Sequence, residues 1–217
     1  YSLYSETRVP TDEMLDGLDI IFVDLQDVGT RVYTYISTLS LLMEACGKKG
    51  IKVVVLDRPN PVGGNIIEGT ILQDGFQSFV GRHPIPQRHS LTMGEMAEYA
   101  KKFQGADCEL QVITMENWNR EMFFKDTGLP WVNPSPNLPT MVGSLTFVGT
   151  VLYEGTNVSE GRGTTRSLEV IGHPSIEPFS FRGEFMEEIK EYNLEGFELR
   201  PTCFMPTFQK HEGKACG

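Results

Sequence analysis

The apolar residues fall into short blocks whose spacing switches between that of a strand and that of a helix. Leu18-Asp-Ile-Ile-Phe-Val-Asp24 is a run rich in β-formers, the pattern of a strand covered on both faces in a parallel sheet. From about Tyr35 to Lys48, Ile36, Leu39, Met43 and Cys46 recur on one helical stripe, with Gly47 and Gly50 as stop signals. Ile51-Lys-Val-Val-Val-Leu-Asp57 then reads as a second buried strand, so the three blocks form a βαβ unit. Thr92-Met-Gly-Glu95 has capping-box spacing and predicts a helix to about Phe103. Leu110–Met115 predicts a third strand, and the Pro-rich stretch 129–139 a stiff irregular loop. The apolar stretch Ser144–Tyr153 decides neither helix nor strand. The texture changes near Gly172-His-Pro174, where a second subdomain is expected, with a helix over about Gly183–Tyr192 and a strand over about Phe197–Phe204. The class that follows is α/β with a mostly parallel sheet and flanking helices.

Composition narrows the partners. The chain has 217 residues, 40% of them hydrophobic and 22% charged, with a formal net charge of −10. That acidic balance repels nucleic-acid phosphates and anionic lipid heads, and no local basic patch offsets it. No apolar run reaches the roughly 20 residues that a bilayer span needs. Cys46, Cys108, Cys203 and Cys216 form no C-x-x-C pair and have no zinc-like spacing with the histidines, so they read as small buried hydrophobes or unpaired thiols. No metal site is expected. With no initiator Met and no signal peptide, both ends read as cut from something longer, and the compartment is not written in these residues.

In an open parallel sheet, ligands bind outside the carboxyl ends of the strands. Three predicted strands end in polar clusters. The first runs into Asp24-Leu-Gln-Asp-Val-Gly-Thr-Arg31, with Gln26, Asp27, Tyr33 and Tyr35. The second runs into Asp57-Arg-Pro-Asn-Pro61, with Arg58 and Asn60, and the third into Glu116-Asn-Trp118. If the strands are parallel, these clusters share one edge. Taken singly, each has a structural alternative: Asp27 and Arg31 as a local ion pair, Asp57 to Asn60 as a stabilised Pro turn, Glu95 as a helix cap, Trp118 as packing, His89 as a satisfied surface histidine.

Glu154-Gly-Thr-Asn-Val-Ser-Glu-Gly-Arg-Gly-Thr164 sets Glu154, Asn157, Ser159, Glu160 and Arg162 among three glycines, with Arg166 just beyond. Glycine lets the backbone approach a ligand, and carboxylate, amide and guanidinium groups together suit hydroxyls, an acetamido group or a carboxylate. The alternative is a solvated turn. A phosphate loop is poorly supported, because the spacing of G-x-x-x-x-G-K-[ST] and its Lys are missing. G-x-G-x-x-G is absent after the first strand, and so is H-E-x-x-H.

In order along the chain stand Ser2-Leu-Tyr4, Asp24–Arg31 with Tyr33-Thr-Tyr35, Leu56–Pro61, Thr127-Gly-Leu-Pro-Trp-Val132, Pro134-Ser-Pro-Asn137 and Glu154–Thr164. Together they resemble the exo-β-N-acetylmuramidases of the NamZ type over almost the whole chain. The resemblance implies a bacterial glycoside hydrolase that releases N-acetylmuramic acid from the non-reducing end of peptidoglycan fragments, without a cofactor. It implies a Rossmann-like domain over 1–170 and the beginning of a smaller C-terminal α/β domain over 171–217. A wall-acting enzyme would work in the periplasm or outside the cell, on a peptidoglycan saccharide or muropeptide.

On this reading the carboxylates nearest the sugar are Glu160, Asp24 and Asp27. Tyr33 or Tyr35 assists, since tyrosine replaces a carboxylate nucleophile in some glycosidases. Arg162 or Arg31 holds the lactyl carboxylate. Asn157, Asn60 and Asn137 bind hydroxyls or the acetamido group, Trp131 or Trp118 lies against a sugar face, and Gln26, Arg58, His89, Ser135, Glu154 and Ser159 complete the binding set. Two departures stand out: the family shows His-Gly where this chain has His89-Ser90, and an upstream Pro-Glu-His-Gly motif with a candidate catalytic glutamate is expected ahead of Tyr1. The competing reading is a non-catalytic peptidoglycan- or sugar-binding module of the same fold.

Overall fold

The computed structural model describes residues Tyr1–Gly217, which form two compact units, Tyr1–Pro134 and Ser135–Gly217. The division lies well before the change of texture at Gly172: residues 135–170 belong to the same unit as the C-terminal stretch.

The first unit begins with one short turn, α1 (Asp12–Leu15), capped by the Thr11 side chain. Then come β1 (Ile20–Val23), α2 (Tyr35–Lys49), β2 (Lys52–Leu56), α3 (Met93–Phe103) and β3 (Leu110–Ile113). The strands form one parallel sheet in the order β1-β2-β3, with Ile20 opposite Lys52 and Val53 opposite Leu110. The βαβ pattern and the third strand are therefore present where the apolar spacing puts them. α3 starts on the predicted capping box: Thr92 Oγ1 accepts from Glu95 N, and the Glu95 carboxylate accepts from Thr92 N.

Side chains alternate across the sheet. Ile21 and Val23, Val53 and Val55, and Leu110 and Val112 face a core shared with Ile36, Leu39 and Met43 of α2 and Met93, Met96 and Ala97 of α3. The two helices pack on each other and both touch β2. The opposite face is more open: Phe22 is 65% exposed, and Ile20 and Ile113 are exposed too. The expected cover on both faces of β1 is thus not met in this chain.

Gly50 ends α2 in the left-handed conformation, but Gly47 is no stop signal. It lies inside the helix, where a Cβ would sit 1.8 Å from the Asp107 carbonyl oxygen, so its role is close approach.

In the second unit the undecided stretch resolves as helix, α4 (Met141–Thr150), capped by Thr140 and followed by a 3-10 turn over Val151–Gly155. α5 spans Pro178–Glu188 and runs into a 3-10 turn over Ile189–Tyr192. It begins ahead of the predicted Gly183 because Glu177 accepts from the amides of Phe179 and Ser180, and Pro178 occupies the first turn. The strand expected over 197–204 does not form. Pro201 offers no ladder donor, and the only pairing there is a single bridge between Phe204 and Cys216.

Candidate active site

Because the strands are parallel, the three polar clusters leave the sheet at one edge. Asp24, just past β1, meets Arg58, just past β2, in a two-pronged pair: Nε to Oδ1 at 2.7 Å and Nη2 to Oδ2 at 2.9 Å. The Arg58 guanidinium holds the Asp24 carboxyl below its usual range, and the carboxylate raises Arg58 in turn. Both side chains remain more than a third exposed, so a ligand at this edge can reach them. Gln26 ties the two loops together, its Nε2 donating to the carbonyls of Asp27 and Pro59.

Asp27 turns inward. Its Oδ2 accepts from Gly29 N at 2.8 Å and lies 3.4 Å from His89 Nε2. His89 Nδ1 accepts from Leu91 N, which places the ring proton on Nε2, facing the carboxylate. Both residues are buried, and Asp27 Oδ1 has no hydrogen-bond partner. Asn60 is equally internal: its amide oxygen accepts from Val62 N and its nitrogen donates to Leu91 O. Arg31 donates to the carbonyls of Thr70 and Ile85, so its guanidinium staples loops together. Burial holds its pKa below the ordinary arginine value.

Tyr33 and Tyr35 stand edge to face, ring centroids 4.9 Å apart, and both hydroxyls donate to Pro134 O. Burial, then Tyr35 and Asp27, push the Tyr33 phenol far above its ordinary value, so it stays protonated. Asp57 caps α3 by accepting from Thr92 Oγ1 and Gly94 N. It also lines a cavity of about 610 Å³ with Glu98, Tyr99, Phe103 and Trp118. Trp131 packs edge-on against Phe124.

Ser90 follows His89 with φ of 61°, in the left-handed region that glycine adopts freely. A glycine would hold that backbone conformation without strain. Here the Ser90 hydroxyl donates to Ile66 O instead.

The second unit holds the glycine-spaced loop. Glu154 and Asn157 are exposed and Arg162 is partly so. Arg162 pairs with Glu154 and, through Nε at 3.2 Å, with Glu160 Oε1. Glu160 itself is 3% exposed, and its other oxygen meets Lys210 Nζ at 3.1 Å. Ser159 is buried, bridged to Gly172 through the backbone, and its hydroxyl accepts from Gly161 N. Ser135 Oγ accepts from Asn137 N in a local turn. Spacing along the sequence gives no hint of Lys210, which lies 50 residues from its carboxylate partner.

The model for the N-terminal domain of exo-beta-N-acetylmuramidase NamZ matches residues 1–142, and the model for its C-terminal domain matches 145–217. The chain belongs to the NamZ family. A NamZ relative, the peptidoglycan beta-N-acetylmuramidase NamZ of Bacillus subtilis (strain 168), is 50% identical over 216 residues, which cover 100% of this chain and 51% of that protein. A crystal structure of a DUF1343 family protein from Bacteroides fragilis NCTC 9343 superposes with a TM-score of 0.88 at 35% identity, covering 100% of this chain and 56% of that one. A second DUF1343 structure from the same organism gives 0.76 at 34% identity, over 95% and 54%. The chain thus spans about half the length of the relatives it matches.

Proposed function

We propose that this chain supplies the sugar-holding part of a glycoside hydrolase that releases N-acetylmuramic acid from the non-reducing end of peptidoglycan fragments. The observation that carries the reading is the single sheet edge to which parallel strands deliver the exposed Asp24–Arg58 pair, on a braced loop frame, in a NamZ-family chain. The Bacillus relative, named a peptidoglycan beta-N-acetylmuramidase, supports the choice of substrate.

Asp24, kept ionised by Arg58, is the carboxylate of this edge suited to facing positive charge that develops on the sugar ring. Asp27, His89, Asn60, Gln26 and Arg31 form the frame behind it. Tyr33, held protonated, serves as a hydrogen-bond donor rather than a nucleophile. Taken by itself, the second unit offers Asn157 and Arg162 as groups that suit an acetamido oxygen and a carboxylate.

One observation favours the alternative of a non-catalytic sugar-binding module: Asp24 and Glu160 are both committed to ion pairs. Incubating the full-length protein with a muramic acid-terminated disaccharide separates the two. The hydrolase releases free N-acetylmuramic acid. A binding module retains the disaccharide intact, and that outcome overturns the proposal.

A further inference from the structure

The loop 153–164 is braced by a second segment, 207–211, that no motif singles out. Lys210 Nζ donates to the carbonyls of Tyr153 at 2.8 Å, Glu154 at 3.2 Å and Val158 at 3.1 Å, and pairs with Glu160 Oε2 at 3.1 Å. An ammonium has three N–H groups, so this cage saturates it. Thr207 donates to Gly163 O from both its amide and its hydroxyl, at 2.9 and 2.8 Å. His211 Nε2 lies 2.6 Å from Asn157 O. Gly163, at φ of 84°, lets the two segments touch backbone to backbone: a Cβ there would sit 2.7 Å from Phe208 O.

Glu160 is the buried counter-charge of this brace. Each carboxylate oxygen already faces a cation, Arg162 Nε on one side and Lys210 Nζ on the other. A sugar would have to displace one of them to reach it. The outward groups of the loop, Glu154, Asn157 and Arg162, each sit on or beside a backbone group that the brace holds.

We propose that Lys210 is a positioning residue for the sugar-binding loop: it pins the loop backbone so that Asn157 and Arg162 keep one arrangement, and Glu160 balances its charge without taking part in bond cleavage. This rests on the reading of 154–164 as a sugar-binding segment. Preorganisation of this kind acts on binding, so its loss raises KM with kcat retained.

The test uses the full-length protein and the variants Lys210→Met, Glu160→Gln and Thr207→Val. The measurements are calorimetric Kd for N-acetylmuramic acid, and kcat and KM for a chromogenic muramic acid glycoside. Lys210→Met is expected to weaken binding and raise KM about tenfold or more, with kcat within about threefold of wild type. Thr207→Val, which removes a single hydrogen bond and keeps every charge, is expected to raise KM by about threefold in the same direction and guards against a Lys210 variant that fails to fold. Glu160→Gln, which leaves Lys210 its three carbonyls, is expected to raise KM modestly with kcat retained. A fall of orders of magnitude in kcat for Glu160→Gln, or an unchanged KM and Kd in Lys210→Met and Thr207→Val, would overturn the inference. If the wild type binds muramic acid without hydrolysing its glycosides, the hydrolase reading falls and the Kd series still decides on the brace; if it does not bind muramic acid, both fall.

Discussion

Replacing Asp27 by Asn probes the buried frame behind the sheet edge. Asp27 is 4% exposed; its Oδ2 accepts from Gly29 N and faces the His89 Nε2 proton. The His89 tautomer is fixed by Leu91 N, so the imidazole cannot turn an acceptor toward a new donor. Asn must therefore put its oxygen where Oδ2 was and its NH2 where Oδ1 was, a position without any partner. A bond to a charged acceptor is worth about 1.5–3 kcal/mol and a neutral one about 0.5–1.5, so roughly 1 kcal/mol is lost on exchange. Oδ1 is already unpartnered in the wild type, so the NH2 that replaces it adds no new orphan, and the expected loss stays at roughly 1 kcal/mol. Urea unfolding followed by circular dichroism measures this as a fall in midpoint at constant slope. The cycle with His89→Gln should show a coupling of about 0.5 kcal/mol, since the two side chains stand 3.4 Å apart. A loss below about 0.5 kcal/mol for Asp27→Asn, inside the range of ordinary surface changes, would refute the assignment of Asp27 as a buried, donor-bound brace of this loop.

Ser90→Gly trades relief of a left-handed backbone, about 1–2 kcal/mol, against loss of the hydroxyl bond to Ile66 O, about 0.5–1.5 kcal/mol, and should leave stability within about 1 kcal/mol of wild type. Ser90→Val loses the same bond and sets a β-branched residue at φ of 61°, so it should destabilise by more than about 2 kcal/mol in the same unfolding assay. The Asp24–Arg58 pair is exposed enough that screening limits it to about 0–1 kcal/mol. Because the folded Asp24 value is depressed, that contribution is present above the unfolded value of about 3.9 and is lost as pH falls through the lower folded value. The stability difference between wild type and Arg58→Met should therefore be constant from about pH 5 upward and shrink under more acid conditions. Burial depresses His83, whose Nε2 lies 3.3 Å from both Ser40 Oγ and Ile36 O. Below about pH 6.5 the unfolded chain takes up a proton that the folded chain refuses, so stability falls as pH drops; His83→Gln should flatten that slope below about pH 6.5.

The parallel sheet and its two helices were legible because their signals are local. Ile36, Leu39 and Met43 repeat at helical spacing, the run Val53–Val55 fills one strand, and the Thr92–Glu95 capping box forms as its spacing requires. The common edge of the three polar clusters followed from parallel order alone. What stayed hidden depends on distant partners. Gly47 reads as a stop signal until the Asp107 carbonyl is seen against it. Residues 197–204 have the composition of a strand, but a strand also needs a neighbour, and Pro201 weakens any ladder there. Arg31 and Asn60 look like ligand contacts in the sequence, yet their polar atoms hold backbone groups of other loops. Lys210 could not be tied to Glu160 by any spacing rule, since nothing in a chain of polar residues says which lysine closes over which carboxylate.

We propose that this chain serves an exo-acting muramidase site, and the products of a longer substrate test that proposal most directly. A peptidoglycan glycan of several disaccharides, with N-acetylmuramic acid at its non-reducing end, is incubated with the full-length protein and sampled over time by mass spectrometry. Free N-acetylmuramic acid is expected as the first product, with the remaining chain one sugar shorter. Fragments from internal cleavage, or a glycan recovered intact under conditions where the protein binds it, would contradict it.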